Sequence, residues 1–422
     1  RANTAANAPA ETRLRFSATT TDGVRAGTSL TLPIAPGGAT RTTAETLEVT
    51  GAVSQYISTS TRETPATMED MPPIACREST GYCPWAALEL VIAPTTRAAI
   101  VRSAHDLLDL PERSIEQEAG LLLLSATLFR TAADAADAAP WHAQIRRSHA
   151  ILAAAQTEAG GWGTWPDAAS TPFLTGYVLE AQAVAAAALD EPFQPDPDAL
   201  RWLRQADTAA TDPDLRAYIQ YVLAQVGAGD PKAARALLDL DLGADGLAYL
   251  ALTLPPDEAA TPLARLRSLV RRTSAVNPAG SVRLFWEAET TASPDHSLVS
   301  TTAVAVLALQ RLQPDSPQIP PALRTLRLAW GVDGWPTAFT SARAALALLA
   351  AEADPAASPS DDAHAYELVL NEDTLVSGSQ SRSASRSLLL TGEQLRARNL
   401  LRIVPRDADS AAAAPLLVAY RL

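Results

Sequence analysis

Cysteine is scarce in this sequence, and its placement limits the chemistry that the chain can carry. The two cysteines, Cys76 and Cys83, are not spaced C-x-x-C, and no histidine or further cysteine stands near them to complete a metal site. We therefore expect neither a metal nor a cofactor. A local disulfide in an exported protein is our interpretation of the pair, and two unrelated free thiols are the alternative.

Aromatic residues are also few, at 5% of the chain, so most of the core has to be built from aliphatic side chains. Hydrophobic residues make up 47% of the sequence, which is enough for a sizeable core. Ala and Leu dominate between about residues 85 and 353, and both are strong helix formers. The composition therefore predicts a mainly α protein.

Basic charge is low relative to acidic charge, and Lys232 is the only lysine. The 34 Lys and Arg residues against 47 Asp and Glu residues give a net charge of −13. Such an acidic chain is a poor partner for nucleic acid or anionic membranes. No run of about 18 apolar residues occurs, so we expect no transmembrane segment. Because the sequence starts at Arg1 without Met or signal peptide, we expect a piece of a longer protein.

Two periodicities divide the chain into three parts. Residues 1–60 alternate in short runs separated by turn residues, and alternation returns over residues 361–422, which predicts antiparallel strands at both ends. Between them a 3.6-residue period predicts about twelve helices, the first over residues 85–108. We predict a helical domain over residues 61–360, inserted between the two halves of one β domain, because inserted domains need their ends close together.

Twelve helices in six hairpins are typical of an (α/α)6 toroid, in which an outer ring of helices surrounds an inner ring. Inner helices should be apolar nearly all round, and residues 182–189 and 342–351 have that character. A helical bundle or solenoid of another kind is the alternative.

Three ordered motifs within this β–α–β layout resemble the thioester domain of bacterial alpha-2-macroglobulins, which is inserted in a CUB-like β domain. The first is the segment QTEAGGWGTWP at residues 156–166, followed by FLTGYVL at residues 173–179. The second is the helix and its ending over residues 295–317, and the third is GWPT with the helix that follows, over residues 334–348. The closing strands resemble the second half of the CUB-like domain.

Three tryptophans in these motifs, Trp162, Trp165 and Trp335, also have a plain structural explanation. Large rings bury much area, and we expect all three to fill gaps between helical hairpins. None of them is predicted to be catalytic, and we predict no catalytic residue elsewhere. The five histidines do not cluster in sequence.

In the thioester-bearing members of that family, a Cys and a Gln three positions later, in C-x-E-Q, are joined as an internal thioester. The resemblance places the corresponding region at Cys76, where Glu78 is kept but Ser79 stands at the glutamine position. Aligned on Cys83 instead, that position is Ala86. Neither Ser nor Ala has a carboxamide, so a degenerate thioester site is implied, with a possible Cys76–Cys83 disulfide as a local staple.

The resemblance implies a non-enzymatic function as the C-terminal part of a broad-spectrum protease inhibitor. It would trap proteases sterically through the full-length chain, together with other domains of the same protein, in the periplasm, cell envelope or extracellular space. A structural or adhesive recognition module of an envelope or secreted assembly is the alternative. A terpene cyclase is disfavoured, because its Q-x-x-x-G-x-W repeat occurs once, at Gln156, and no D-x-D-D acid is present.

Overall fold

A computed structural model describes about four fifths of the chain. The described residues are 11–19, 25–33, 42–58, 86–273, 282–288, 297–352, 364–380, 384–392, 394–406 and 416–422. About half of them are helical and the remaining regular structure forms small antiparallel sheets, which confirms the coarse prediction of fold class. In this part of the chain no helix combines the length and apolar character needed to cross a membrane.

Contacts divide the chain into two units, Arg1–Thr43 and Ala44–Leu422. The first unit contains an antiparallel hairpin of β1 (Glu11–Thr19) and β2 (Arg25–Pro33).

The second unit contains the helices. The twelve α-helices within the described residues are α1 (Thr96–Leu108), α2 (Ile115–Arg130), α3 (Ala135–Ala154), α4 (Pro172–Ala188), α5 (Pro197–Ala209), α6 (Pro213–Gln225), α7 (Pro231–Ala236), α8 (Ala244–Thr253), α9 (Pro256–Ser268), α10 (Leu298–Leu312), α11 (Ile319–Leu328) and α12 (Ala338–Glu352).

Most of these helices begin at a polar residue that caps the first turn. The Asp212 carboxylate, for example, accepts the backbone N–H of Asp214 at 3.0 Å, and Pro213 occupies the first helical position, where its missing N–H costs no hydrogen bond. Asp196 and Asp230 start α5 and α7 in the same way. The Asp-Pro punctuation of the sequence therefore marks helix starts.

The even-numbered helices contact one another in a closed cycle. Helix α2 contacts α4, and the contacts continue through α6, α8 and α10 to α12, which contacts α2 again. The odd-numbered helices pack against this cycle, each beside the even-numbered helix that it precedes or follows. Small residues permit close approach: a Cβ atom added at Gly120 of α2 would lie 2.8 Å from the Cβ of Ala338 of α12.

The remaining strands of the second unit lie before, between and after the helices. They are β3 (Ala44–Val49), β4 (Val53–Ser58), β5 (Ala87–Ala93), β6 (Arg271–Thr273), β7 (Arg283–Phe285), β8 (His364–Leu370), β9 (Asp373–Gln380), β10 (Arg386–Thr391), β11 (Arg398–Pro405) and β12 (Leu416–Arg421). One four-stranded sheet has the order β10-β5-β12-β3 and the other β4-β11-β8-β9, while β6 and β7 form a separate short ribbon. Strands from before and after the helices thus share both large sheets.

Strand β5 corrects the prediction of a helix over residues 85–108. The helix starts only at Thr96, where the Thr95 hydroxyl accepts the N–H of Ala98 at 3.0 Å. Strand β5 lacks polar alternation because both of its faces are covered: Val91 packs on the helical core, and Leu90 packs in the core between the two sheets. A short apolar run buried on both sides resembles a buried helix in sequence.

Ion pairs join the sheets to the helices. The Glu48 side chain on β3 is only 5% exposed, and its carboxylate lies 2.7 Å from the Nε atom of Arg327 and 2.9 Å from that of Arg324, both on α11. Two guanidiniums balance this buried carboxylate, which is what a buried charge requires.

Candidate functional site

The predicted thioester position lies outside the described residues. This applies to Cys76, Glu78, Ser79 and Cys83, so the degenerate site and the disulfide remain predictions. In the chain these residues precede β5, and hence also the first helix of the cycle.

The x-E-Q spacing of the thioester motif occurs at the start of a helix, with serine in place of cysteine. Ser114-Ile115-Glu116-Gln117 keeps the glutamate and the glutamine of C-x-E-Q. These residues form the start of α2, and Ser114 is its N-cap. We call this segment the SIEQ turn. It has no cysteine, so the C-x-E-Q pattern does not identify it, whereas the x-E-Q spacing at a helix start does.

A reciprocal pair of hydrogen bonds closes the SIEQ turn. The backbone N–H of Gln117 donates to the Ser114 hydroxyl oxygen at 3.3 Å, and the backbone N–H of Ser114 donates to Oε1 of Gln117 at 2.9 Å. This is a capping box, which satisfies two N–H groups of the first helical turn. It also folds the carboxamide of Gln117 back towards residue 114.

Two hydrogen bonds and one ion pair fix the SIEQ turn to its surroundings. The Glu116 carboxylate accepts the backbone N–H of Phe339 in α12 at 2.6 Å. The N–H of Ile115 donates to the carbonyl oxygen of Thr164, in the loop before α4, at 3.0 Å. In addition, Arg113 pairs with the buried carboxylate of Glu118 at 2.7 Å. The turn is therefore tied to α12 and to the loop that precedes α4.

This geometry makes the SIEQ turn a helix cap in the present sequence. A serine hydroxyl becomes an effective nucleophile only beside a general base, whereas the Ser114 hydroxyl accepts the backbone N–H of Gln117 as a helix cap. Among the described residues, no group of three or more His, Cys, Asp or Glu side chains is arranged to hold a metal ion.

A second cluster of polar side chains lies inside the helix cycle. The carboxylate of Glu180 in α4 and the guanidinium of Arg343 in α12 form a two-pronged ion pair, with 2.5 Å between Nη2 and Oε2, and both side chains are only 1% exposed. The hydroxyls of Tyr221 and Tyr218 in α6 donate to the same carboxylate at 3.1 and 3.4 Å.

Aromatic rings complete this cluster. The guanidinium carbon of Arg343 lies 4.9 Å from the ring centroid of Phe339 and 5.8 Å from that of Tyr249 in α8. The Phe173 ring meets Phe339 edge to face at 5.0 Å between centroids. We call the whole set the interior cluster: Phe173, Tyr177, Glu180, Tyr218, Tyr221, Tyr249, Phe339 and Arg343.

Burial controls the ionisation of the interior cluster. Desolvation, reinforced by the Glu180 charge, raises the pKa of Tyr218 and of Tyr221 well above the usual range. Desolvation by itself would lower the pKa of Arg343, but the charge and hydrogen bonding of Glu180, together with the neighbouring tyrosines, raise that pKa above its usual value. The tyrosines are therefore neutral and Arg343 is charged at physiological pH.

The interior cluster was not expected from the low aromatic content. Aromatic residues are few in the whole chain, yet six of them meet at this one place, because α4, α6, α8 and α12 each present an aromatic residue to the same space. Packed side chains fill that space, with an ion pair among them.

The expectation for the tryptophans is correct at two positions and wrong at the third. Trp162 and Trp335 are 1% and 4% exposed, and their indole N–H groups donate to the carbonyl oxygens of Leu152 and Leu326 at 2.7 and 2.9 Å. Trp165 is instead 48% exposed. Trp162 bridges α3 and α4, since its indole N–H donates to Leu152 in α3 and its backbone N–H donates to a hydroxyl of α4.

Neither protein-family models nor curated proteins give a match to the sequence. Among solved structures, the chain is similar to native Escherichia coli alpha-2-macroglobulin (15% identity, TM-score 0.52), covering 97% of this chain and 25% of that one. It is also similar to the E. coli alpha-2-macroglobulin fragment from domain MG7 to the C-terminus (14% identity, TM-score 0.50), covering 97% and 62% respectively. Salmonella alpha-2-macroglobulin reacted with methylamine gives 13% identity and a TM-score of 0.52, over 97% and 26%. At these identities the similarity is one of fold, and the chain spans about a quarter of the longer neighbours.

Proposed function

We propose that this chain is the C-terminal part of an alpha-2-macroglobulin-like protease trap that has no thioester. The observation that carries the proposal is the SIEQ turn: it keeps the thioester spacing at the start of α2, but presents a serine hydroxyl where a thiol is needed. The likeness in fold to the C-terminal fragment of E. coli alpha-2-macroglobulin supports it.

For the architecture, we propose an (α/α)6 toroid inserted in a CUB-like β domain. The closed cycle of even-numbered helices supports the toroid, and the sheets shared by strands from both ends support the insertion. The predicted boundaries place the helical part at residues 61–360, between halves 1–60 and 361–422. Because β5 pairs with β10 and β12, we propose that the helical part starts near Thr96 instead.

For the degenerate site, we favour Ser114 over Cys76 as the residue at the cysteine position. The SIEQ turn lacks only the cysteine, and its glutamine side chain already folds back onto residue 114. Cys76, Glu78 and Ser79 remain the second alignment, in which the glutamine is missing and the segment precedes β5. Both alignments lead to the same functional proposal, because each lacks one of the two groups that a thioester joins.

Without a thioester, trapping has to be steric. Cleavage elsewhere in the parent chain would let its domains close around the protease, and the toroid would contribute shape and contacts. The proposed partners are target proteases and the other domains of the same protein, in the periplasm, the cell envelope or the extracellular space. The filled interior of the helix cycle agrees with a contact function, since side chains and an ion pair occupy that space.

The test uses the full-length parent protein and a protease that cleaves it. We expect the protease to co-elute with the cleaved protein under native conditions and to separate from it completely in denaturant. A protease adduct that survives denaturation would contradict the absence of a thioester. Cleavage without co-elution would contradict trapping and favour the recognition module.

A further inference from the structure

The contact between α2 and α12 differs from the other contacts of the helix cycle. Every other neighbouring pair of even-numbered helices is linked through one intervening odd-numbered helix. Helices α2 and α12 are the first and last members, and the residues that meet there, Glu116 and Phe339, are 223 positions apart. Side-chain and backbone contacts alone have to close the cycle at this seam.

Helix α1 packs against both α2 and α12, and two features of the α2–α12 contact itself hold the seam. At Gly120 a Cβ atom would lie 2.8 Å from the Cβ of Ala338 and 3.0 Å from its backbone, so the helices touch almost backbone to backbone. One turn earlier, the Glu116 carboxylate accepts the N–H of Phe339. That N–H belongs to the first turn of α12, where backbone N–H groups lack a partner within the helix and negative charge is stabilising.

The same device recurs elsewhere in the cycle. Glu116 is the second residue of α2, Asp214 is the second residue of α6, and Asp245 is the second residue of α8. The Asp214 carboxylate accepts the N–H of Gly243, the N-cap of α8, at 2.9 Å, and the Asp245 carboxylate accepts the hydroxyl of Thr301 in α10 at 3.0 Å. An acidic second residue that binds the start of the neighbouring helix is thus a repeated element of the fold.

Phe339, whose N–H Glu116 accepts, also belongs to the interior cluster. The ring of Phe339 lies 5.0 Å from the rings of both Phe173 and Tyr177, and Arg343 lies one turn further along α12. A displaced first turn of α12 would therefore disturb the packing beside the Glu180–Arg343 pair.

We propose that Glu116 is a positioning residue that closes the helix cycle by capping α12. In the SIEQ turn, Ser114 and Gln117 cap α2 itself, while Glu116 reaches across the seam. The turn therefore has a structural function that requires no thioester. This inference rests on the geometry of the seam, and it holds or fails independently of protease trapping.

The test compares Glu116→Ala and Glu116→Gln by amide hydrogen exchange in the intact protein, with Glu112→Ala as a matched control. Glu112 is an exposed carboxylate in the same connection, two residues before Ser114. We expect Glu116→Ala to speed exchange of the Phe339 amide roughly tenfold, the effect of losing one hydrogen bond to a charged acceptor. Glu116→Gln keeps an acceptor oxygen and should restore most of the protection, and Glu112→Ala should change nothing.

The proposal predicts that faster exchange is confined to the Phe339 amide and its neighbours. Unchanged exchange at Phe339 in folded Glu116→Ala protein would overturn the proposal, as would an even rise across all helices, which reports a general loss of stability. If Glu116→Ala does not fold, Glu116→Gln decides alone: a folded protein with a protected Phe339 amide supports the cap, and an unprotected amide refutes it. None of these outcomes depends on a protease, so failure here would leave the proposed trapping function untouched.

Discussion

The buried pair of Glu180 and Arg343 offers the sharpest prediction about stability. Both side chains are 1% exposed, and the carboxylate also receives hydroxyls from two tyrosines of α6. Replacing one charged partner leaves the other charge buried without compensation. Such a loss typically costs about 3–5 kcal/mol of unfolding free energy. We therefore expect a cost of that size for Glu180→Gln and for Arg343→Met separately.

The double variant of Glu180→Gln and Arg343→Met distinguishes the contribution of the ion pair from the cost of leaving one charge unpaired. Glu180→Gln keeps an acceptor for the tyrosine hydroxyls, and Arg343→Met keeps most of the aliphatic volume, so together they remove both charges with little change of shape. Buried ion pairs replaced by neutral groups of similar volume are often close to neutral in stability. We expect the double variant to cost no more than either single variant, well below the sum of about 6–10 kcal/mol that independent sites would give.

Urea unfolding of the wild type, both single variants and the double variant measures this cycle. The exposed pair of Arg146 and Glu191, whose side chains are 53% and 42% accessible, is the matched control, and Arg146→Met should change little. Additive costs in the Glu180–Arg343 cycle, or single variants as mild as the control, would refute the assignment of a coupled buried pair.

Three further predictions address other parts of the fold. Gly120→Ala should destabilise the protein by about 1–3 kcal/mol, because the added Cβ would overlap α12. Gly51→Ala is the control and should change little, because no atom lies within 4 Å of a Cβ added there. Equal thermal melting points of the two variants would contradict the close packing at Gly120. Trp162→Phe should cost about 1–3 kcal/mol through the lost indole hydrogen bond and volume, whereas Trp165→Phe should be nearly neutral in chemical unfolding. The pKa of Tyr218 is higher in the folded protein than in the unfolded chain, where it is about 10. The neutral form of Tyr218 therefore stabilises the folded protein fully below a pH of about 10, and this stabilisation is lost as the pH rises from there towards the folded pKa. Alkaline titration should therefore show tyrosinate absorbance from the interior cluster only together with unfolding, and ionisation before unfolding would refute its burial.

Sequence patterns predicted the elements whose signals are local. Asp-Pro pairs stand at the starts of α6 and α7, where proline and a capping carboxylate act within one helical turn. Strand β5 could not be predicted from its own residues, since its apolar character follows from two different layers that cover its faces. The burial of Trp162 and the exposure of Trp165 also could not be read from the sequence, because the two indoles stand three positions apart in the same loop.

The site was only partly accessible to sequence reasoning for a related reason. The thioester motif is recognised by its cysteine, and the SIEQ turn carries Ser114 at that position. Nothing local connects Glu116 to Phe339 or Glu180 to Arg343, because these partners are 223 and 163 positions apart and meet only when the helix cycle closes.

The central claim is that the SIEQ turn is a thioester turn that lacks only its sulfur. Intact mass of Ser114→Cys protein, before and after methylamine, tests it most directly, with the double variant Ser114→Cys and Gln117→Ala as control. If the claim is right, the sulfur introduced at position 114 attacks the carboxamide carbon of Gln117 and ammonia leaves. The measured mass of the variant is then one ammonia below the mass calculated from its sequence. Methylamine then adds to that carbon and frees one thiol, while the control and the wild type stay unchanged. A folded Ser114→Cys protein of unaltered mass, or a wild-type chain that releases a thiol with methylamine, would contradict the account.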